Sequence, residues 1–365
     1  MNFKEYRFDE VTVNYDRLRV PLSSMQRKEK QGDYRYYGAQ GVIDYVDDYI
    51  FDGEYLLIAE DGENLKSKKQ NIAQIAKGKF WVNNHAHILQ TNSNCELRYL
   101  YYLINSMDLS GYITGSAQPK LSQANMNKIP LIVPSIDEQN KILAIVGTID
   151  EKIEVNNAIN ENLEQQAQTI FYEWFLSHNE IPDNWNIMSL GEVTYMGAGG
   201  DKPQEVANLK TEMYKYPIYS NGISDEGLYG YTTDYKISEE SVTVSARGTI
   251  GFVCLRHIPY TPIVRLITLI PRTEFLSAKY LYFWLKNIPI HGTGTTQQQL
   301  TVPDFRKTEI IIPSKDEMIS FTNIMTPIFQ KIWANQDENN KLSVIRDSLL
   351  PKLISGELDV SEFDI

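Results

Sequence analysis

GSAQPKLSQANMNKIPLIVPSIDEQ, residues 115–139, aligns without a gap on GTTQQQLTVPDFRKTEIIIPSKDEM, residues 294–318, at an offset of 179. Identical pairs include Gly115/Gly294, Gln118/Gln297, Leu121/Leu300, Lys128/Lys307, Pro134/Pro313, Ser135/Ser314 and Glu138/Glu317. The register continues through Lys152/Lys331, Ile153/Ile332, Asn156/Asn335, Asn160/Asn339 and Leu163/Leu342. Chance does not hold one offset over that length, so the chain is two tandem copies of a unit. Upstream the match loosens: YYGAQGVIDY from Tyr36 faces YSNGISDEGLYGY from Tyr219. Each copy therefore has a variable first part and a matching last part.

The matching parts predict long helices. Ser135 precedes Glu138 at capping-box spacing. Positions 142, 146, 149, 153, 156, 160, 163, 167, 170 and 174 then read Ile, Val, Ile, Ile, Asn, Asn, Leu, Ala, Ile, Trp, a coiled-coil seam stepping by four and three. The same positions shifted by the repeat read Phe, Met, Ile, Ile, Asn, Asn, Leu, Arg, Leu, Leu. The seam residues are Ile149, Ile153, Asn156, Asn160 and Leu163 in one helix, and Ile328, Ile332, Asn335, Asn339 and Leu342 in the other. A buried Asn fixes register at a cost in stability, so two Asn at matching seam positions predict helices that pack on each other in one alignment. Packing of each seam on its own globular part is the plainer alternative. Pro327 predicts a break, with Thr326 as N-cap of a helix beginning there, and Pro351 a kink or end.

The variable parts read as β-rich. EYLLIA (54–59), KFWVNN (79–84), SVTVSA (241–246), GFVCL (251–255) and RLITLI (265–270) are β-branched and aromatic, bounded by Gly, Asn, Asp and Pro. LRYLYYLINS from Leu97 and SAKYLYFWLKN from Ser277 predict short amphipathic helices ahead of each repeat. The fold class is thus α/β (α+β). Cys95 and Cys254 are too far apart in sequence for a CxxC site or a disulfide framework. No apolar stretch approaches a membrane span and the start MNFKEYRFDE has no signal-like core, so a cytoplasmic protein is the expectation.

Chemistry is sought and not found. There is no phosphate-cradling Walker sequence and no Asn-Pro-Pro-aromatic tetrapeptide of an amino-methyltransferase. The cluster Gly197, Gly199, Gly200 lacks dinucleotide-binding spacing and reads as a loop. His85 and His87 alternate on one face of a predicted strand with no third ligand nearby, which favours structural histidines over a metal site. Asp52, Glu54 and Glu60 lack the lysine that a nuclease set would place after its second acid, and read as a solvated face.

What remains suits binding. Arg17, Arg19, Arg27, Lys28, Lys30 and Arg35 crowd one stretch with Tyr34, Tyr36 and Tyr37 interleaved. Lys66, Lys68 and Lys69 lie in a Gly/Asn loop, and Arg247, Arg256 and Arg265 are spread along strands of the second copy. Lys and Arg hold phosphates or guanine, and Asn and Gln pair bidentately with adenine. Each cluster alone is equally compatible with a solubilising surface.

In this layout the chain resembles the specificity subunits of Type I restriction-modification systems, over nearly its whole length. The resemblance rests, in chain order, on YYGAQGVIDYVDDYIFDGEYLLIAEDG (36–62), GKFWVNNHAHIL (78–89), IPLIVPSIDEQNKIL (129–143), IPDNWNIMSLGEV (181–193), IIIPSKDEM (310–318) and LLPKLISGEL (349–358). The second copy departs from the pattern in DEM and in Pro327, and the first domain in lacking a Trp-bearing opening. The resemblance implies target-recognition domains at 1–135 and 181–313 and spacer helices at 136–180 and 314–365, packed as an antiparallel coiled coil with pseudo-two-fold symmetry. Each domain would read one half of a split double-stranded DNA site, asymmetric because the copies differ. It further implies a non-catalytic scaffold, docked by two modification subunits resembling adenine-N6 methyltransferases and by motor-nuclease restriction subunits. S-adenosylmethionine, ATP and Mg would then be held by those partners, with none on this chain. By position, the DNA-binding candidates are Lys66, Lys68, Lys69, Asn83, Asn84, Gln118 and Lys120 in the first domain, and Asn221, Arg247, Thr296, Gln297 and Gln298 in the second. The alternative from another class is a stand-alone site-specific nuclease or methyltransferase with unrecognised catalytic residues.

The net charge of -12 sits awkwardly with DNA until it is divided by segment. Residues 136–180 carry two basic and nine acidic side chains, and 314–365 five and nine. The two variable parts are close to neutral. The excess acid therefore belongs to the helices, and the candidate reading domains keep clustered Lys and Arg. This division predicts weak DNA binding by the isolated chain.

Overall fold

A computed structural model describes residues 1–67, 70–115, 118–178, 180–292 and 298–361. The chain divides into two units, 1–156 with 337–365 and 157–336. In the first, β-branched and aromatic runs build a six-stranded sheet in the order Thr12–Asn14, Ala86–Thr91, Phe51–Ala59, Ala73–Val82, Gln31–Gly38, Gly41–Val46. All neighbours are antiparallel except Gln31–Gly38 on Ala73–Val82, which is parallel. The amphipathic helix Leu97–Ser106 buries Tyr99, Leu100, Leu103 and Ile104 beneath this sheet in a core shared with Ile142, Val146 and Leu353 of the long helices.

The second unit holds a four-stranded antiparallel sheet in the order Thr194–Ala198, Leu266–Pro271, Ser241–Ser245, Val253–Arg256, and a three-stranded sheet Leu228–Thr232, Tyr216–Tyr219, Thr261–Pro262. Ala278–Asn287 is the counterpart helix, and its Tyr280 and Phe283 pack with Phe171, Phe321 and Phe329 of the long helices. The glycine cluster is a strand edge and not a free loop. Gly197 belongs to Thr194–Ala198, and a Cβ on Gly199 would lie 2.3 Å from the Ile263 carbonyl oxygen, so only glycine fits that approach.

Each unit opens the same way: a strand (Phe3–Arg7; Asn186–Ser189), one helical turn (Phe8–Val11; Leu190–Val193) and a further strand. The Arg7 backbone N–H donates to Glu10 Oε2 at 2.6 Å and that of Ser189 to Glu192 Oε2 at 2.8 Å. Thr12 and Thr194 each return a hydroxyl bond to the carbonyl four residues back. The opening strand pairs with the strand entering the long helix, Pro130–Pro134 or Glu309–Ile312.

The two long helices are Ile136–Phe171, 36 residues closing in a π-helical turn over Tyr172–Leu176, and Lys315–Ser355, 41 residues. None of the twenty seam positions is exposed. In the first unit Asn156 Nδ2 donates to Glu338 Oε2 and Asn339 Oδ1, both at 2.8 Å, and Arg346 Nη1 lies 2.7 Å from Asp150 Oδ1, which accounts for an arginine in the seam. In the second unit Asn335 pairs with Asn160. Within each unit, numbers rising along one helix meet numbers falling along the other, so the segments pack antiparallel. Two sequence expectations are corrected: the second helix does not start at Pro327 but runs unbroken through it, and it does not end at Pro351 but continues to Ser355. The carbonyls that each proline deprives of a partner belong to Asn323 and Asp347, and all four residues are on the exposed face where water can replace the bond. Phe321, Met325, Phe329 and Ile332 are buried on the opposite face, so the packing that favours the helix lies away from Pro327.

Candidate nucleic-acid interface

In the first unit the loop from Gly115 that leads into the repeated segment is tied to the sheet by charged side chains. Lys66 Nζ donates to the Gly115 carbonyl at 3.0 Å. Thr114 and Lys120 bond reciprocally through their backbones, and Lys120 Nζ lies 3.2 Å from Glu60 Oε1. The Leu121 N–H donates to the Glu60 carbonyl, and the Leu121 carbonyl is 2.8 Å from His87 Nε2. Below this, His87 Nδ1 is 2.6 Å from Asp16 Oδ2, and Arg19 reaches Glu60 at 2.7 Å and the Ala86 carbonyl at 2.9 Å.

This network sharpens several sequence expectations. His87 is a buried structural histidine, whereas His85 lies in the turn before the strand and meets Asp61 at 2.7 Å, so the pair does not share a strand face. Glu60 is not part of a solvated acidic face: burial pushes its carboxyl up, but Arg19, His87 and Lys120 outweigh this and hold it below the usual range. Among the described residues no cluster of three His, Cys, Asp or Glu is placed to hold a metal ion. In the basic stretch, Arg27 pairs with Asp44 at 2.8 Å and Lys30 with Asp47 at 3.5 Å, so these cations organise the domain's own surface.

Asn83 is buried and closes the turn between Ala73–Val82 and Ala86–Thr91: its N–H donates to the Tyr37 carbonyl and its Oδ1 accepts from His85 N–H. Asn84 next to it is exposed, as is Gln118. Lys68, Lys69, Thr296 and Gln297 lie outside the described residues; Gln298 is described and exposed. In the second unit Asn221 Nδ2 donates to the Arg247 carbonyl at 2.7 Å, and Thr249 Oγ1 donates to the Asn221 carbonyl at 3.2 Å.

Arg256, grouped by sequence with the basic binding material, is instead a buried clamp. Its Nε donates to Thr243 Oγ1, its Nη2 to the Glu226 carbonyl and its Nη1 to the Glu226 carboxylate, while the guanidinium stacks 3.7 Å over Tyr219. The clamp holds Asp225 and Glu226 at φ of 48° and 53°, a left-handed pair that non-glycine residues adopt only when their surroundings impose it. No sequence signal announces the strain.

Two tandem mixed α/β units, each ending in a strand that feeds a long helix, with polar loops at their surfaces, define a duplicated recognition scaffold. The Type I restriction modification DNA specificity domain family matches residues 2–165 and again 182–343, and the chain belongs to that family. A Mycoplasma pneumoniae protein named as a type I specificity subunit is 28% identical over 319 residues, 85% of each chain. A second from the same organism is 30% identical over 77% of this chain and 86% of its own. The crystal structure of a Type-I restriction-modification system S subunit from M. genitalium superposes with a TM-score of 0.58 over 96% of each chain at 17% identity, a likeness of fold. The chain is thus a type I specificity subunit with tandem DNA specificity domains, a non-catalytic component whose partners are DNA and the restriction-modification complex.

Proposed function

We propose that each domain reads one half of an asymmetric, split duplex site while the long helices fix the distance between the halves. The observation that carries this is the pair of matching modules with non-identical loops, each feeding a long helix. At roughly 1.5 Å per residue the 36-residue helix is about 54 Å long, more than the roughly 34 Å of one duplex turn, so it suffices as a ruler. Gln118, Gln298 and Asn84 are the amide groups for base edges. Lys66, with Lys68 and Lys69, faces phosphates, and Lys120 braces the loop that presents them; Asn83, Asn221, Arg247, Thr296 and Gln297 complete the set.

The scaffold docks two adenine-N6 modification subunits and motor-nuclease restriction subunits, through basic surfaces that meet the acidic helices at residues such as Glu151, Glu154 and Glu161. S-adenosylmethionine, ATP and Mg belong to those partners, and the assembly works in the cytoplasm; among the described residues no helix is long and apolar enough to cross a membrane. The test is to incubate the purified chain with duplex DNA, methyl donor and magnesium, alone and with its co-expressed modification subunit. Adenine methylation at a split, asymmetric site only with the partner is the expected result. Methylation or cleavage by the chain alone overturns the reading.

A further inference from the structure

The two copies place opposite hydrogen-bonding chemistry at one equivalent position. Leu121 and Leu300 are repeat partners, and their N–H groups donate to Glu60 and Ala246 carbonyls respectively, both at 2.8 Å. Asp61 and Arg247 therefore correspond, and each precedes a glycine with positive φ, Gly62 at 119° and Gly248 at 75°. In the first domain this residue is an acceptor already engaged by His85. In the second it is a donor: Arg247 is half-buried and its guanidinium has no hydrogen bond or ion pair among the described residues, although its backbone is fixed.

The fixing is thorough. Asn221 holds the Arg247 carbonyl, and Thr249 ties back to Asn221. The hairpin that carries Arg247 is closed by Gly251 N–H on the Ser245 carbonyl and Ser245 N–H on the Phe252 carbonyl, both at 3.0 Å. The loop that supplies Asn221 is the one clamped by Arg256 through Glu226. A planar five-donor fork on a rigid backbone matches the O6/N7 edge of guanine, the commonest specific side-chain contact in the major groove. A phosphate contact needs neither the planarity nor the rigid mounting.

We propose that Arg247 reads a guanine in the half-site of the second domain, with Asn221 as its positioning residue, and that the equivalent place in the first half-site is read without an arginine. This rests on the proposed reading of one half-site per domain. The full chain, co-expressed with its modification subunit, is used to select from a duplex pool randomised across both halves and the spacer, as wild type, Arg247→Ala and Arg247→Lys. Wild type is expected to enrich a split site with a guanine in one half. Both variants should lose preference at that base by about five- to 150-fold while keeping every other position. Asn221→Ala should blur the same base and no other. Uniform weakening on all sequences with the salt dependence reduced by about one ion marks a phosphate contact and overturns the proposal, as does unchanged selection by Arg247→Ala. In both cases the split-site reading stands. If wild type enriches no split site, that reading falls and this inference with it.

Discussion

The side-chain amide of Asn335 donates to Asn160 Oδ1 at 2.8 Å, and the Asn160 amide in turn donates to the Ile332 carbonyl at 3.2 Å. A polar pair between apolar seam neighbours is satisfied only in this one alignment of the two helix segments, which is how it sets register. Replacing one Asn by Leu strands the other and should cost about 1–3 kcal/mol, whereas replacing both leaves an apolar contact at this level of the seam and a stability close to wild type. Urea denaturation of the four proteins measures the coupling directly. Simple additivity of the two single losses would refute a shared role.

Pro327 gives a second test. In mid-helix it removes one N–H and crowds the Asn323 carbonyl, so Pro327→Ala should stabilise the second unit by up to about 3 kcal/mol. Had the proline begun a helix at its first position, alanine there would be neutral or destabilising. The chemical denaturation midpoint decides between the two.

The proline also shows where sequence reasoning reaches and where it stops. Period and repeat are additive signals, so the seams, their mutual packing and the strands Phe51–Ala59 and Leu266–Pro271 stand out of the chain itself, whereas the antiparallel sense comes only with the family resemblance. A break signal is local, and four buried aromatic or aliphatic residues on the far face override it. The shared domain opening lies off the main register: Glu10-Val11-Thr12 matches Glu192-Val193-Thr194 three residues out of it, the difference being absorbed in the variable parts. Charge was the least legible property. Whether Arg19, Arg256 or Lys120 faces DNA or a carboxylate depends on contacts between residues tens of positions apart, which composition does not encode.

The buried network under the first domain's loop should make that domain acid-sensitive. Burial pushes the Asp16 carboxyl up, but its hydrogen bond and electrostatic interaction with His87 and the Ile88 N–H bring it below the usual 3.8. A depressed carboxylate contributes stability that is present above 3.8 and is lost as pH falls through its lower folded value. Glu60, also lowered, acts in the same sense. Unfolding followed from neutral pH downward should steepen below about pH 4, and Asp16→Asn should flatten that limb while lowering stability at neutral pH. An unchanged acid limb in the variant would exclude Asp16 as a contributor.

Lys120 separates a cation that neutralises phosphate from one that braces a loop. In the free chain its ammonium is 3.2 Å from Glu60, a carboxylate that also holds Arg19, so a phosphate gains this lysine only by displacing an existing partner. A free lysine on phosphate contributes about 0.9 to the slope of log affinity against log salt. Lys120→Ala should therefore weaken duplex binding by the assembled complex while changing that slope by well under 0.9, because the loss comes through a loosened loop. Titrations of the complex on a fixed duplex at several salt concentrations, with wild type and variant side by side, give both quantities. A slope change of a full ion would mean that Lys120 leaves Glu60 for the DNA, and that the carboxylate is a placeholder for phosphate in the free protein.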